Sequence, residues 1–189
     1  MTSAVARWLL GLLAAQLVLV AITWWPAETP SRPAGPLLSF SAAAVDQIRI
    51  SDGSDTVVLR RLENAWRLGQ PNGPAADADR VASLLATLGR LRGDWPVAAS
   101  ESSHARFEVA DDQYLRRVEL FAGEARLAAL RVGRSPGLGQ AYVRVGEQTR
   151  VYPAEISVFE LGVKDADWRQ AEPAEPDASG GNVHQSEAG

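Results

Sequence analysis

The stretch VDQIRISDGSDTVVLRRLENAWRL, residues 45–68, decides the fold. Its β-branched and apolar residues fall in short runs separated by SDGSD and NA, both turn compositions. Side chains alternate between the two faces of a strand, so Ile48 and Ile50 share one face, and Val57 and Leu59 likewise. The stretch predicts an antiparallel meander. Within it, DGSD at residues 52–55 lacks the length and spacing of a calcium loop and reads as a hairpin turn.

Downstream, DADRVASLLATLGRLRG (residues 77–93) places Val81, Leu84, Leu85, Leu88 and Leu91 at helical spacing. One apolar stripe of that width predicts an amphipathic helix packed on the sheet. Asp77 suits its N-cap, Asp79 its first turn, and Arg90, Arg92 and then Gly93 its end. After DWPVAASESSHARFEV, with one short helical turn starting near Ser100, LRRVELFAGEARLAALRVG supplies two strands joined near Ala122 to Ala125. QAYVRVG and TRVYP form the next pair, joined around Gly146 and Glu147. Pro153 is then expected at the first position of a short second helix, PAEISVFELG, ended by Gly162. The fold class is α+β: antiparallel meander sheets packed with one amphipathic helix and one short helix.

Upstream lies WLLGLLAAQLVLVAITWW, residues 8–25, with no charge. At about 1.5 Å per residue it makes a helix of roughly 27 Å, close to the thickness of a bilayer core. It ends without a small-x-small cleavage site, and Trp8, Trp24 and Trp25 suit the two membrane interfaces. These features predict an uncleaved transmembrane anchor, with a removable export signal as the alternative. Arg7 precedes the span, while Glu28 and Arg32 roughly cancel after it, so residues 1–7 are expected in the cytoplasm and the rest outside. The expected location is the inner, cytoplasmic membrane, with the C-terminal domain in the periplasm or beyond. A proline-rich spacer is expected over residues 26–39, a single domain over 40–169, and an acidic disordered tail over 170–189.

The net charge of −4 argues against a nucleic-acid partner. Lys164 is the only lysine, and the arginines are scattered along the chain without a block that would make a polybasic patch. The absence of cysteine excludes disulfides and thiolate metal sites.

No catalytic, cofactor-binding or metal-binding residue is assigned. His104 is the only histidine inside the domain, and its neighbours Ser102 and Ser103 say nothing about a triad, which is assembled in space. GRSPGLGQAY (residues 133–142) lacks the lysine and the Ser/Thr of a phosphate loop and reads as a flexible loop between strands. Gly137 and Gly139 in that loop, Tyr142 and Arg144 beside it, and Trp95 before Pro96 are candidate partner contacts. Trp66 and Trp168 are expected to close the core.

The order of AWRL, the aspartate-led helix with RVASLLATLGRL, PVAAS, ARFEV, VELFAG, LRVG, AYVRVG, RVYP and a closing DADW resembles the family called domain of unknown function 4340, over most of residues 45–168. The resemblance implies a membrane-anchored extracytoplasmic protein associated with an ABC-type transport system akin to gliding-motility machinery. It supplies no catalytic residues. Many members are longer and repeat the strand-strand-tryptophan unit, of which this chain holds one clear copy. The expected function is an accessory or scaffold subunit with no catalysis or cofactor of its own, its partners being the lipid bilayer and ABC permease and ATPase subunits. The alternative is an envelope ligand-binding protein or hydrolase with an unrecognised site.

Overall fold

The computed structural model describes residues 35–137 and 139–170, together with Gln16. Apart from Gln16, the expected anchor with Trp8, Trp24 and Trp25, the N-terminal segment, most of the spacer and nearly all of the tail lie outside the described residues. No helix among the described residues is long and apolar enough to cross a membrane.

Among the described residues nine strands form in chain order: β1 (Gly35–Pro36), β2 (Gln47–Ser51), β3 (Thr56–Leu62), β4 (Ala65–Leu68), β5 (Arg92–Gly93), β6 (Arg116–Ala122), β7 (Ala125–Val132), β8 (Ala141–Val145) and β9 (Val151–Ala154). Helix α1 spans Ala78–Arg90, α2 His104–Phe107 and α3 Asp165–Trp168. The meander β2-β3-β4 and the meander β6-β7-β8-β9 fuse through antiparallel pairing of β2 with β6. The result is one seven-stranded sheet of order β4-β3-β2-β6-β7-β8-β9, with β1 and β5 as a separate pair.

The local chemistry explains the turns. The Asp52 carboxylate accepts from the backbone N–H groups of Ser54 and Asp55 at 3.0 and 2.8 Å, which closes the β2–β3 hairpin. Those two N–H groups hold its pKa below the ordinary value. Glu63 and Asn64 both adopt positive φ, 48° and 69°, the geometry of a two-residue hairpin turn between β3 and β4.

Alternation puts Ile48, Ile50, Val57, Leu59, Val118, Leu120 and Leu130 on the inner face, each almost fully buried. Val81, Leu84, Leu85 and Leu88 of α1 pack onto that face. The Asp77 side chain caps α1 by accepting from Asp79 and Arg80, and its own N–H donates to the Trp168 carbonyl at 2.8 Å. Trp168 is fully buried, and its indole N–H donates to the Gly162 carbonyl at 2.8 Å. Trp66 is also buried, so both tryptophans close the core as expected.

Both edges of the large sheet are covered. The outer side of β4 is bridged by Ala75, with Leu68 N–H donating to Pro74 and Ala76 N–H to Trp66. The outer side of β9 exchanges backbone bonds with Val97 and Ala98 around Val151. Neither edge offers an open row of donors and acceptors to another strand.

Three boundaries differ from the sequence reading. Residues 35–39 belong to the fold and not to a spacer, since Gly35–Pro36 pair with Arg92–Gly93 and Leu38 is buried. Gly93 does not stop α1. The helix ends at Arg90 with Leu91 as its C-cap, and Gly93 pairs with Gly35 in β5, where a Cβ would stand 2.4 Å from Leu37 Cδ2. Pro153 begins no helix. It lies in β9, near the end of the last strand, where a missing N–H is tolerated, and only a single 3₁₀ turn follows, at Val158–Glu160. The short helical turn near Ser100 is present as a 3₁₀ turn at Glu101–Ser103 leading into α2.

Candidate functional site

The outer face of the sheet carries the arginines. Arg49, Arg117, Arg131 and Arg144 each sit between inward-facing residues on their strands, so the pleat turns them all outward. Register then aligns them. Arg117 pairs with Arg131 across β6 and β7, and Arg131 pairs with Arg144 across β7 and β8. Arg60 and Arg67, paired with each other on β3 and β4, extend the basic face toward the other edge. An extra residue in β7, opposite the step from Leu120 to Phe121, brings Arg126 outward and leaves Leu127 packed against the core.

Two carboxylates sit among these cations. Glu119, in the middle of the open part of the face, is only 6% exposed because guanidinium groups surround it. Arg117 donates to it at 2.8 Å and Arg126 at 3.3 Å, while Arg49 stands 3.7 Å away. Arg49 also lies over the Phe121 ring, 5.4 Å from its centroid.

The second carboxylate, Asp111, comes from a loop. Residues 94–112 cross from the end of α1 and roof the outer face over β8 and β9, where Phe107, Val109 and Val151 form a small apolar cluster. Tyr142 meets Phe107 edge-on at 4.6 Å between ring centroids. Under this roof Arg144 donates from Nε to the Val109 carbonyl at 2.7 Å and from Nη2 to Asp111 at 2.6 Å. Arg131 also bonds Asp111 and donates to the Gly146 carbonyl at 2.7 Å, with Glu147 at 3.7 Å. The bond from Arg144, with Arg131 beside it, holds the Asp111 pKa below the ordinary carboxylate value. Burial, reinforced by the neighbouring Arg144, lowers that of Arg131. The Nε groups of Arg117 and Arg131 are buried without a hydrogen-bond partner.

The expected contact residues fall in different settings. Trp95 is exposed, and so are Gly137 and Gly139. Arg144 is buried under the roof and is not a surface contact, and Tyr142 is half-buried against the same cluster. Gly139 lines an open groove of about 760 Å³ with Arg90, Arg92, Asp94, Glu155 and Glu160. His104 is buried at the start of α2 and shares a hydrogen bond between Nε2 and the Thr149 carbonyl at 2.9 Å. The hydroxyls of Ser102 and Ser103 turn to Ser100. Among the described residues, no group of three or more His, Asp or Glu side chains is arranged to hold a metal ion.

The reading of the arginines as scattered holds only along the chain. The signal lay in short patterns such as IRI, LRV and VRV, in which an arginine between two apolar strand residues must face away from the core.

These features define an α+β protein built on one helix-backed antiparallel sheet with an arginine-lined outer face. Residues 66–183 match the model of the family described as Domain of unknown function (DUF4340), and the chain belongs to that family. The match starts at Trp66 in β4, after the β2–β3 hairpin. No solved structure matches the chain.

Proposed function

We propose that this chain is a single-pass, membrane-anchored extracytoplasmic accessory or scaffold subunit of an ABC-type transport system, and that it acts by binding and not by catalysis. The arginine-lined outer face carries this reading. Five of its arginines, Arg49, Arg60, Arg67, Arg117 and Arg126, lie on the part outside the roof, where Glu119 is the only carboxylate at an outward strand position among the described residues. A broad face of one charge sign on a chain of net charge −4 is suited to steering and registering a partner. The apolar segment at residues 8–25 supports the anchor, and family membership is in keeping with the transport association.

In vivo crosslinking of the tagged, full-length protein, gentle detergent extraction and mass spectrometry test the reading. The expected result is recovery of a permease and an ATPase, lost when residues 35–170 are replaced by an unrelated domain. Recovery of no membrane partner from a well-extracted sample contradicts it. The groove beside Gly139 favours the second reading, an envelope ligand-binding protein, because Arg90 and Arg92 there stand with Asp94, Glu155 and Glu160 around one concave surface.

A further inference from the structure

Resting on the reading of this chain as a binding subunit, we propose that the open part of the outer sheet face is the docking site, and that its occupant is an extended, carboxylate-rich segment of a partner protein. The face itself displays the chemistry. Glu119 sits among Arg49, Arg117 and Arg126, and Asp111 between Arg131 and Arg144, so this surface seats carboxylates among guanidinium forks at two places. Planar forks match carboxylates in paired hydrogen bonds, which the point charge of a lysine does not, and this face is built with arginine alone.

Donor capacity remains after those bonds are made. A guanidinium has five N–H donors; the side chains of Arg49 and Arg126 are 45% and 44% exposed, and Arg126 spends one donor on Glu119. The Arg117 side chain is 30% exposed and holds Glu119 from Nη2. Stacking on Phe121 holds the Arg49 guanidinium in place, which reduces the ordering required on binding.

The geometry also favours an extended segment lying across the face. Both sheet edges are covered, so a partner strand has no edge to join and is left with the face. Register sets Arg60, Arg49 and Arg117 on a diagonal across β3, β2 and β6, each about 7–8 Å from the next, close to the spacing of about 6.8 Å at which side chains recur on one side of an extended peptide. Acidic residues at every second position of such a peptide therefore meet successive guanidinium groups.

The test is binding of a fluorescein-labelled peptide of alternating glutamate and threonine to the full-length protein in detergent, followed by anisotropy. Saturable binding that weakens as salt rises is expected. The double variant R49Q/R126Q, at two exposed positions, is expected to bind roughly tenfold more weakly, as for loss of a charge-assisted contact. R150Q, at an exposed position between β8 and β9, is expected to leave binding unchanged. E119Q keeps the shape of the hub but removes its charge, and is expected to tighten binding, an effect that a purely structural role for the cluster does not produce.

Thermal melting of each variant confirms that it is folded. Equal binding by the wild type, R49Q/R126Q and E119Q overturns the proposal. So does displacement of the peptide by a short-chain anionic phospholipid, inorganic phosphate or an RNA oligonucleotide at lower concentration than an unlabelled copy of the peptide. Failure to bind the peptide while a permease and ATPase are still recovered from membranes overturns this inference alone. Loss of both overturns the reading on which it rests.

Discussion

Arg131 on β7 and Arg144 on β8 stand directly opposite one another, their side chains 6% and 3% exposed, and the 69%-exposed Asp111 carboxylate bridges them. Like charges at paired strand positions oppose sheet formation. Here the loop carrying Asp111 offsets the repulsion while Val109 accepts from Arg144, so the roof and the charged row depend on each other.

That dependence has a pH signature. Because the Asp111 pKa is depressed in the folded state, its contribution to stability is fully present above the unfolded carboxylate pKa and is lost as pH falls through the folded value. The wild type is expected to be more stable than D111N at neutral pH, and the gap between their melting temperatures is expected to close in acid below about pH 4. A gap that persists unchanged to the lowest pH at which both fold counts against the bridge.

Gly133 ties the roof to the sheet. A Cβ at this position would stand 2.0 Å from the Phe107 carbonyl oxygen and 2.7 Å from that of Glu108. Backbone, and not a flexible side-chain end, must therefore move in G133A. The expected destabilisation is about 1–3 kcal/mol, read by denaturant unfolding. An unaltered midpoint would show that the loop is not held against β7.

Leu88 is fully buried where α1 meets the sheet. L88A is expected to lose about 2–5 kcal/mol through lost burial and the cavity left behind. A82G, on the exposed side of the same helix, is expected to lose only about 1 kcal/mol from helix propensity. Similar losses from the two, measured by urea denaturation, would contradict the packing of this helix face.

Asp77 caps α1 through its side chain. D77A is expected to cost about 0.5–2 kcal/mol, whereas D77N, which keeps the accepting oxygen, is expected to lose much less. Melting curves of the two variants compare them directly. Equal losses would indicate that the charge of Asp77 matters and its hydrogen bonds do not.

The sequence revealed most of the elements and little of the surface that they build. The hairpins at Asp52 and Asn64, the Asp77 cap and the stripe from Val81 to Leu88 are local patterns, governed by turn chemistry and periodicity within a few residues. The arginine face is not local, because Arg49, Arg117, Arg131 and Arg144 come together only through cross-strand register and the pairing of β2 with β6. The bulge that turns Arg126 outward has no distinctive sequence mark. Pro153 reads equally well as a helix start or as the end of an edge strand, and tertiary pairing with Tyr142 decided between them.

Docking on the arginine face is tested most directly by a photo-crosslinking amino acid at Thr56, exposed beside that face, or at Ala82, exposed on α1, in the full-length protein in living cells. A partner-protein adduct is expected from Thr56, lost when R49Q/R126Q is added, and none from Ala82. An adduct from Ala82 with none from Thr56 would contradict it.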